Sequence, residues 1–193
     1  FLPFPSAGAA WLIFNENFMR DVNWINLLNL RVNYGISGNA DIGNYHGARY
    51  YYPYALVGQF GLVRTSLVNT ELKPEKMQRL GAGIDMSILE ERVNIGLDVY
   101  SNTVNDMILS VKPASISGSQ SNVILNAGKM RNLGFDFNLN TRILNKQHFK
   151  WDVGLMVSRY KNEVLSLGGK EYYNEYLGAT IQTKAGQPLG AFY

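Results

Sequence analysis

A chain of 193 residues with a net charge of only +3 is long enough for one ordinary domain, and 46% apolar residues would supply a sizeable core. Charged residues make up 17%, against about 25% in soluble proteins, and no Lys/Arg run or basic helix offers a nucleic-acid footprint. There is no Cys, hence no disulfide framework and no thiolate metal site, and no apolar run approaches the roughly 18 residues of a membrane helix, so any membrane passage must be made by β-strands.

Six segments read as strands, each near the 9–11 residues or so that a tilted membrane strand needs. The first, about Ala7 to Phe14, has the weakest alternation. The second, "NLLNLRVNYG", sets Leu28, Leu30, Val32 and Tyr34 against Asn29, Arg31, Asn33 and Gly35. The third, "MQRLGAGIDMSIL", sets Leu80, Ala82, Ile84, Met86 and Ile88 against Arg79, Gly81, Gly83, Asp85 and Ser87. In the fourth, "RVNIGLDVYSNT", Val93, Ile95, Leu97 and Val99 oppose Asn94, Gly96, Asp98 and Tyr100. The fifth, "NLGFDFNLN", sets Leu133, Phe135, Phe137 and Leu139 against Asn132, Gly134, Asp136, Asn138 and Asn140. The sixth, "FKWDVGLMVSRY", sets Phe149, Trp151, Val153, Leu155 and Val157 against Lys150, Asp152, Gly154, Met156 and Ser158. The period is two, and Gly and β-branched residues sit mid-segment, so helices are excluded and the fold class is all-β.

Short and long connections alternate. A tight turn at Leu89–Arg92, the link "TRILNKQH" and the somewhat longer "NENFMRDVNW" are the short ones. Ser37 to about Pro74, about Asn105 to Ala127, and Lys161 to the end are the long ones. An antiparallel up-and-down meander with turns sorted this way is what transmembrane barrels show. The polar faces carry Asn, Asp, Gly and Ser, where a solvated sheet usually carries long charged or β-branched residues. Trp11, Phe14, Trp24, Tyr34, Phe149 and Trp151 gather near strand ends, as at a membrane boundary. These features place lipid on the oily face. Six strands fall short of the eight or so of the smallest barrels, and open edges in hydrocarbon are costly. Phe1 is not Met and the chain stops on "GQPLGAFY", so a partial barrel within a longer chain is expected.

"FPSAGAAWLIFNENFM" followed by "WINLLNLRVNYGISGNADIGNY" resembles the barrel of the SusC/RagA family of TonB-dependent outer-membrane transporters. In that family a Trp-containing strand leads to a Glu-x-Phe turn and a Leu-x-Leu-Arg-x-x-Tyr-Gly-x-x-Gly-Asn strand end. "NTELKPEKMQRLGAGIDMSILEERVNIGLDVYSNTVNDMIL" is similar to the next hairpin, and "NAGKMRNLGFDFNLN" to an Asn-x-Gly-x-x-x-Asn-x-Gly-hydrophobic-acidic motif. "NEVLSLGG" and "GQPLGAFY" follow in the expected order. Pro74-Glu75 after Leu72-Lys73 departs from the family's usual Trp-Glu and leaves the start of the third strand open.

The resemblance implies a segment, residues 1–193, of a barrel of about 22 strands. The plug domain and TonB box would lie outside this chain. The parent would import glycan oligosaccharides, peptides or similar nutrients across the outer membrane of a Bacteroidota-type bacterium. Its energy would come from TonB–ExbB–ExbD, and a SusD-like lipoprotein would close over its mouth. No cofactor is implied.

The sequence offers no compelling catalytic constellation, and the reading is non-enzymatic. His46 and His148 lack metal-ligand spacing to a carboxylate, and "GAGID" precedes no helix that would cradle a phosphate. Glu90-Glu91 falls in a tight turn and is read as solvated. The candidate ligand- or partner-binding residues are Arg49, Tyr50, Tyr51, Tyr52 and Tyr54 of "RYYYPY", because Tyr rings suit stacking on sugars or packing on a partner; packing of the loop on its neighbours is the bland alternative. Tyr172, Tyr173 and Tyr176 form a second set. Arg31, Asp85, Asp98 and Asp136 are expected to face the lumen as a charge-balanced, hydrating wall. Two other functions stay open: a soluble secreted β-sandwich that binds carbohydrate through Tyr-rich loops, and a structural or assembly barrel without transport.

Overall fold

The computed structural model describes residues 3–39, 51–64, 69–111, 123–168, 172–176 and 179–192. Their strands are β1 (Ser6–Leu12), β2 (Ile25–Asn39), β3 (Tyr51–Leu56), β4 (Gln59–Arg64), β5 (Glu75–Ile88), β6 (Val93–Val111), β7 (Val123–Lys146), β8 (Phe149–Ser166), β9 (Tyr172–Tyr176), β10 (Ala179–Thr183) and β11 (Ala191–Phe192). Six of them form one antiparallel sheet in the order β1-β2-β5-β6-β7-β8, so each strand lies beside its sequence neighbour once the β3–β4 hairpin is set aside. This is the all-β, up-and-down partial barrel that the alternation predicts, with the sheet left open in this chain.

The strand ends differ from expectation. β1 stops at Leu12, and Ile13–Asn15 and Asn17–Met19 form 3-10 turns, with Trp11 Nε1 donating to Glu16 Oε1 at 3.0 Å. β6 and β7 run to 19 and 24 residues, well beyond the 9–11 or so that cross hydrocarbon. Most of "TRILNKQH" therefore belongs to β7, and the turn is only Gln147–His148. The segments Ser37–Pro74, Asn105–Ala127 and Lys161 onward are not loops throughout, for they contain strand ends, the β3–β4 hairpin and the β9–β11 sheet. Past the alternating stretch both strand faces are polar, as in "SNTVND", and a period of two leaves no trace in the sequence. Asp106, at φ 56°, adds a left-handed residue inside β6 that disturbs the alternation further.

Contacts divide the chain into two compact units. The first holds residues 1–37, 78–103 and 131–162. Its apolar row is exposed: Val32 52%, Leu80 54%, Val99 47%, Leu133 40%, Leu155 50%. These are the side chains that a β-sandwich would bury beneath a second sheet, and they are not buried. Ile25 and Ser87 are among its few buried residues. The Leu89–Arg92 turn takes three non-glycine residues through the left-handed region, Leu89, Glu90 and Glu91 at φ 56°, 55° and 63°. Each left-handed residue costs on the order of 1 kcal/mol. The turn is held by the Leu89 amide donating to the Trp24 carbonyl at 3.0 Å and the Glu91 amide to Asn26 Oδ1 at 3.2 Å.

The second unit holds residues 38–77, 104–130 and 163–193. It contains a small dry core in which Met107, Val164 and Leu167 are buried, with Val104, Leu109 and Met130 packed around them. Val164 is wholly sealed: its amide donates to the Gln187 carbonyl at 2.8 Å, and its carbonyl accepts from the Gly186 amide at 2.7 Å.

Candidate functional site

On the polar face of the first unit, β2, β5 and β6 each contribute one charged residue to a single cluster. Arg31 Nε lies 2.8 Å from Asp85 Oδ2, and Arg31 Nη2 donates to Asp85 Oδ1 at 3.0 Å and to Asp98 Oδ1 at 3.1 Å. Asn29 Nδ2 donates to Asp85 Oδ2 at 3.3 Å. One guanidinium thus serves two carboxylates. The three side chains are 42%, 36% and 50% exposed, so solvent screens the attraction; the cluster aligns three strands more than it stabilises them. Gly83 makes the arrangement possible. A β-carbon there would collide with Asp98 Oδ1 and stand 3.0 Å from Arg31 Nη2. Of the four residues expected on this wall, Arg31, Asp85 and Asp98 come together. Asp136 sits exposed on β7, on the same face, with no side-chain hydrogen-bond partner among the described residues.

Further contacts on that face fix the remaining strands. Asn132 Oδ1 accepts from Asn162 Nδ2 at 2.6 Å, Arg142 Nε donates to Asp152 Oδ1 at 2.8 Å, and a β-carbon on Gly154 would meet Asn140 Oδ1 at 3.0 Å. All three contacts share one β7–β8 register, which sets Tyr160 beside Gly134. From the other side, Tyr100 of β6 lays the phenol end of its ring over Gly134, where a β-carbon would stand 2.5 Å from its Cζ. Tyr160 and Met156 are 73% and 77% exposed on the same polar face, unlike the short side chains around them. Sequence reasoning put Tyr100 and Met156 on this face without assigning either a role. Glycine inside a strand, a sign of close approach by a neighbour, was the available signal.

In the second unit, Asn126 acts as a clip. Its Oδ1 accepts from the Lys73 amide at 2.8 Å, and its Nδ2 donates to the carbonyls of Lys73 and Asp106, both at 2.7 Å. Glu75 Oε1 accepts from the Ile108 amide at 2.7 Å, just past the left-handed Asp106. The pair pins the start of β5 against the irregular part of β6. This is the function of the asparagine in "NAGKMRN", and it settles that β5 starts at Glu75, after Pro74.

Of the tyrosine candidates, Arg49 and Tyr50 lie outside the described residues. Tyr51 and Tyr54 are 58% and 49% exposed on β3, and Tyr52 contributes its backbone to the same strand. Tyr51 pairs with Arg64 and Tyr54 with Gly61, so the two rings point to opposite faces of the hairpin and form no single patch. The more apolar face joins Tyr51 to Phe60 and Leu62, which are 85% and 74% exposed. Tyr172, Tyr173 and Tyr176 lie in β9, paired with Thr183, Gln182 and Ala179 of β10. His46 is outside the described residues, and His148 lies in the β7–β8 turn. Among the described residues no group of three or more His, Cys, Asp or Glu is placed to hold a metal ion.

Residues 2–191 match the family model described as TonB dependent receptor-like, beta-barrel. TonB-dependent receptor P3 of Formosa agariphila is 31% identical over 98% of this chain and 20% of its own length. TonB-dependent receptor SusC of Bacteroides thetaiotaomicron is 30% identical over 89% of this chain and 18% of its own. The structure of the RagAB peptide importer in the closed-closed state superposes with a TM-score of 0.82, at 27% identity over 96% of this chain and 20% of that one. The chain thus spans about a fifth of the length of the relatives it matches. The exposed apolar face, the hydrogen-bonded polar face and these matches agree: the chain belongs to the TonB-dependent receptor β-barrel family, as a SusC/RagA-like segment of its barrel wall.

Proposed function

We propose that the full-length protein is an active importer in a bacterial outer membrane, taking up nutrients of the glycan-oligosaccharide or peptide class, and that this chain is a section of its wall. The observation that carries the reading is the two-sidedness of the first unit. Val32, Val99, Leu133 and Leu155 stand exposed on one face, while Arg31, Asp85, Asp98 and the asparagines cross-link the other. Lipid makes the first face favourable and water makes the second so. Arg31, Asp85, Asp98 and Asp136 would then line a hydrated lumen. A plug and a TonB box elsewhere in the protein would couple uptake to TonB–ExbB–ExbD, and the protein would perform no catalysis.

A SusD-like lipoprotein is the partner proposed for the Tyr-bearing hairpin. A two-stranded hairpin is marginal by itself, and Tyr51, Phe60 and Leu62 give it an apolar face suited to a protein surface. SusC and the RagAB importer among the relatives support this reading.

The test is to delete the full-length gene from its host and to purify the tagged protein from membranes. The expected result is a detergent-requiring protein that co-purifies with a lipoprotein, and a strain that loses growth on a defined class of oligosaccharide or peptide. A protein soluble without detergent, or a deletion strain that grows equally on every such nutrient, would contradict the proposal.

A further inference from the structure

The exposed apolar face of the first unit ends in positive charge. On β8 the apolar row stops at Val157, and the next residues on that face are Arg159 and Lys161. On β7 the row stops at Leu133, and the next residue on that face is Arg131. The register carried by Asn132–Asn162, Arg142–Asp152 and Gly154–Asn140 sets Arg159 beside Phe135 and Lys161 beside Leu133. Arg131 is then the diagonal neighbour of Lys161, and the two cations of β8 stand about 7 Å apart. Arg159 and Lys161 are exposed. Arg131 Nε is shut off from solvent and has no hydrogen-bond partner among the described residues. Glu163, next on that face of β8, leaves the balance of the group positive. The group lies toward the opposite end of these strands from their tight turn at Gln147–His148.

A cation on the lipid-facing side of a strand is costly in hydrocarbon, and the cost fades only at the membrane boundary. Three cations directly above the apolar row therefore mark headgroup level and call for an anion there. Tight turns of a transmembrane barrel face the periplasm, which puts this group in the outer leaflet. We infer that Arg131, Arg159 and Lys161 form a docking site for the phosphate-bearing headgroup of an outer-leaflet glycolipid. The two guanidinium forks, one from each strand, take phosphate oxygens, and the ammonium adds a point charge between them. The acyl chains of the same lipid run down over Leu133, Phe135 and Val157. A soluble anion gains nothing from that row, so the site is assigned to lipid. The inference rests on the outer-membrane reading and goes beyond it, because import by itself requires no bound lipid.

The experiment titrates the purified full-length protein in detergent with lipopolysaccharide from its host, with the same material after phosphatase treatment, and with inorganic phosphate. The variants are Arg159→Gln, the triple Arg131→Gln, Arg159→Gln, Lys161→Gln, and Arg92→Gln at the other end of the strands, with retained heat-modifiable migration on gels as the check that the barrel is folded. The wild type binds the phosphorylated lipid. Arg159→Gln weakens binding about fivefold and the triple variant about a hundredfold, losses that shrink at high salt. Arg92→Gln binds as the wild type does, and phosphatase treatment of the lipid reproduces the triple variant. Equal binding of the phosphorylated lipid by wild type and triple variant overturns the inference, as does equal binding of the treated and untreated lipid. Full competition by inorganic phosphate at a concentration equal to that of the lipid also overturns it, since the site would then take a free anion. Each of these results leaves the membrane location standing. A full-length protein that stays soluble without detergent means that the outer-membrane reading itself has failed, and the inference with it.

Discussion

The two units of this chain solve opposite packing problems. In the second, Met107, Val164 and Leu167 are buried against one another, and backbone hydrogen bonds seal Val164 completely, as in any small domain in water. In the first, the longest apolar rows of the sequence are left uncovered, while glycine, asparagine and aspartate occupy the face on which side chains touch. The same strands thus put their oil inside in one unit and outside in the other. The difference matches the solvents that the proposed function assigns: water around the second, hydrocarbon against one face of the first.

That contrast can be broken by charge. Val164→Asp places an unpaired carboxylate in the dry core and should cost about 3–5 kcal/mol, enough to unfold the second unit locally, read as proteolytic cleavage within 163–193. Leu155→Lys, on the exposed apolar row, should cost about 2–4 kcal/mol when the full-length barrel is unfolded from lipid bilayers. In a water-soluble sheet the same change at a half-exposed leucine would fall within about 0.5 kcal/mol. A neutral Leu155→Lys would therefore erase the distinction between the units.

Smaller changes sharpen it. Gly83→Ala should force Asp98 and Arg31 apart and cost about 1–3 kcal/mol in the same unfolding measurement, with part of the loss recovered in the Gly83→Ala, Asp98→Gly double variant. Asn126→Ala removes three hydrogen bonds from an exposed site and should cost about 1–2 kcal/mol. Its signature is faster hydrogen exchange at the Lys73 amide. The smallest effect is a gain. Val57 is a β-branched residue at φ 49° in the β3–β4 turn, and Val57→Asn should stabilise that hairpin by about 0.5–1 kcal/mol, seen as slower cleavage at its tip.

What could be read from the amino acids follows the same division. Strict alternation exists where the two faces meet different solvents, so Leu28 to Gly35 and Asn132 to Asn140 announce strands, and the charged residues Arg31, Asp85 and Asp98 announce a shared face. Where both faces are wet the alternation vanishes. The outer parts of β6 and β7 and the Tyr51–Arg64 hairpin were for that reason expected as loops. The splitting of Tyr51 from Tyr54 depends on hairpin register, which the run of tyrosines does not encode. The Asn126 clip joins residues 53 and 20 positions apart, a distance over which the sequence has no local grammar. Tyr160 sits two residues past Ser158, where the alternation of that strand ends, and only the β7–β8 register brings it to Gly134.

The most direct test of which solvent meets the oily face is a single-cysteine scan of residues 132–140 in the full-length protein in lipid bilayers, spin-labelled and read by collisional accessibility. The account predicts a period of two: labels at Leu133, Phe135, Phe137 and Leu139 collide with oxygen dissolved in lipid and not with an aqueous nickel chelate, and labels at the intervening positions reverse that preference. Labels at Leu133 and Phe135 that meet neither reagent, as inside a packed core, or that meet the nickel chelate freely, would contradict it.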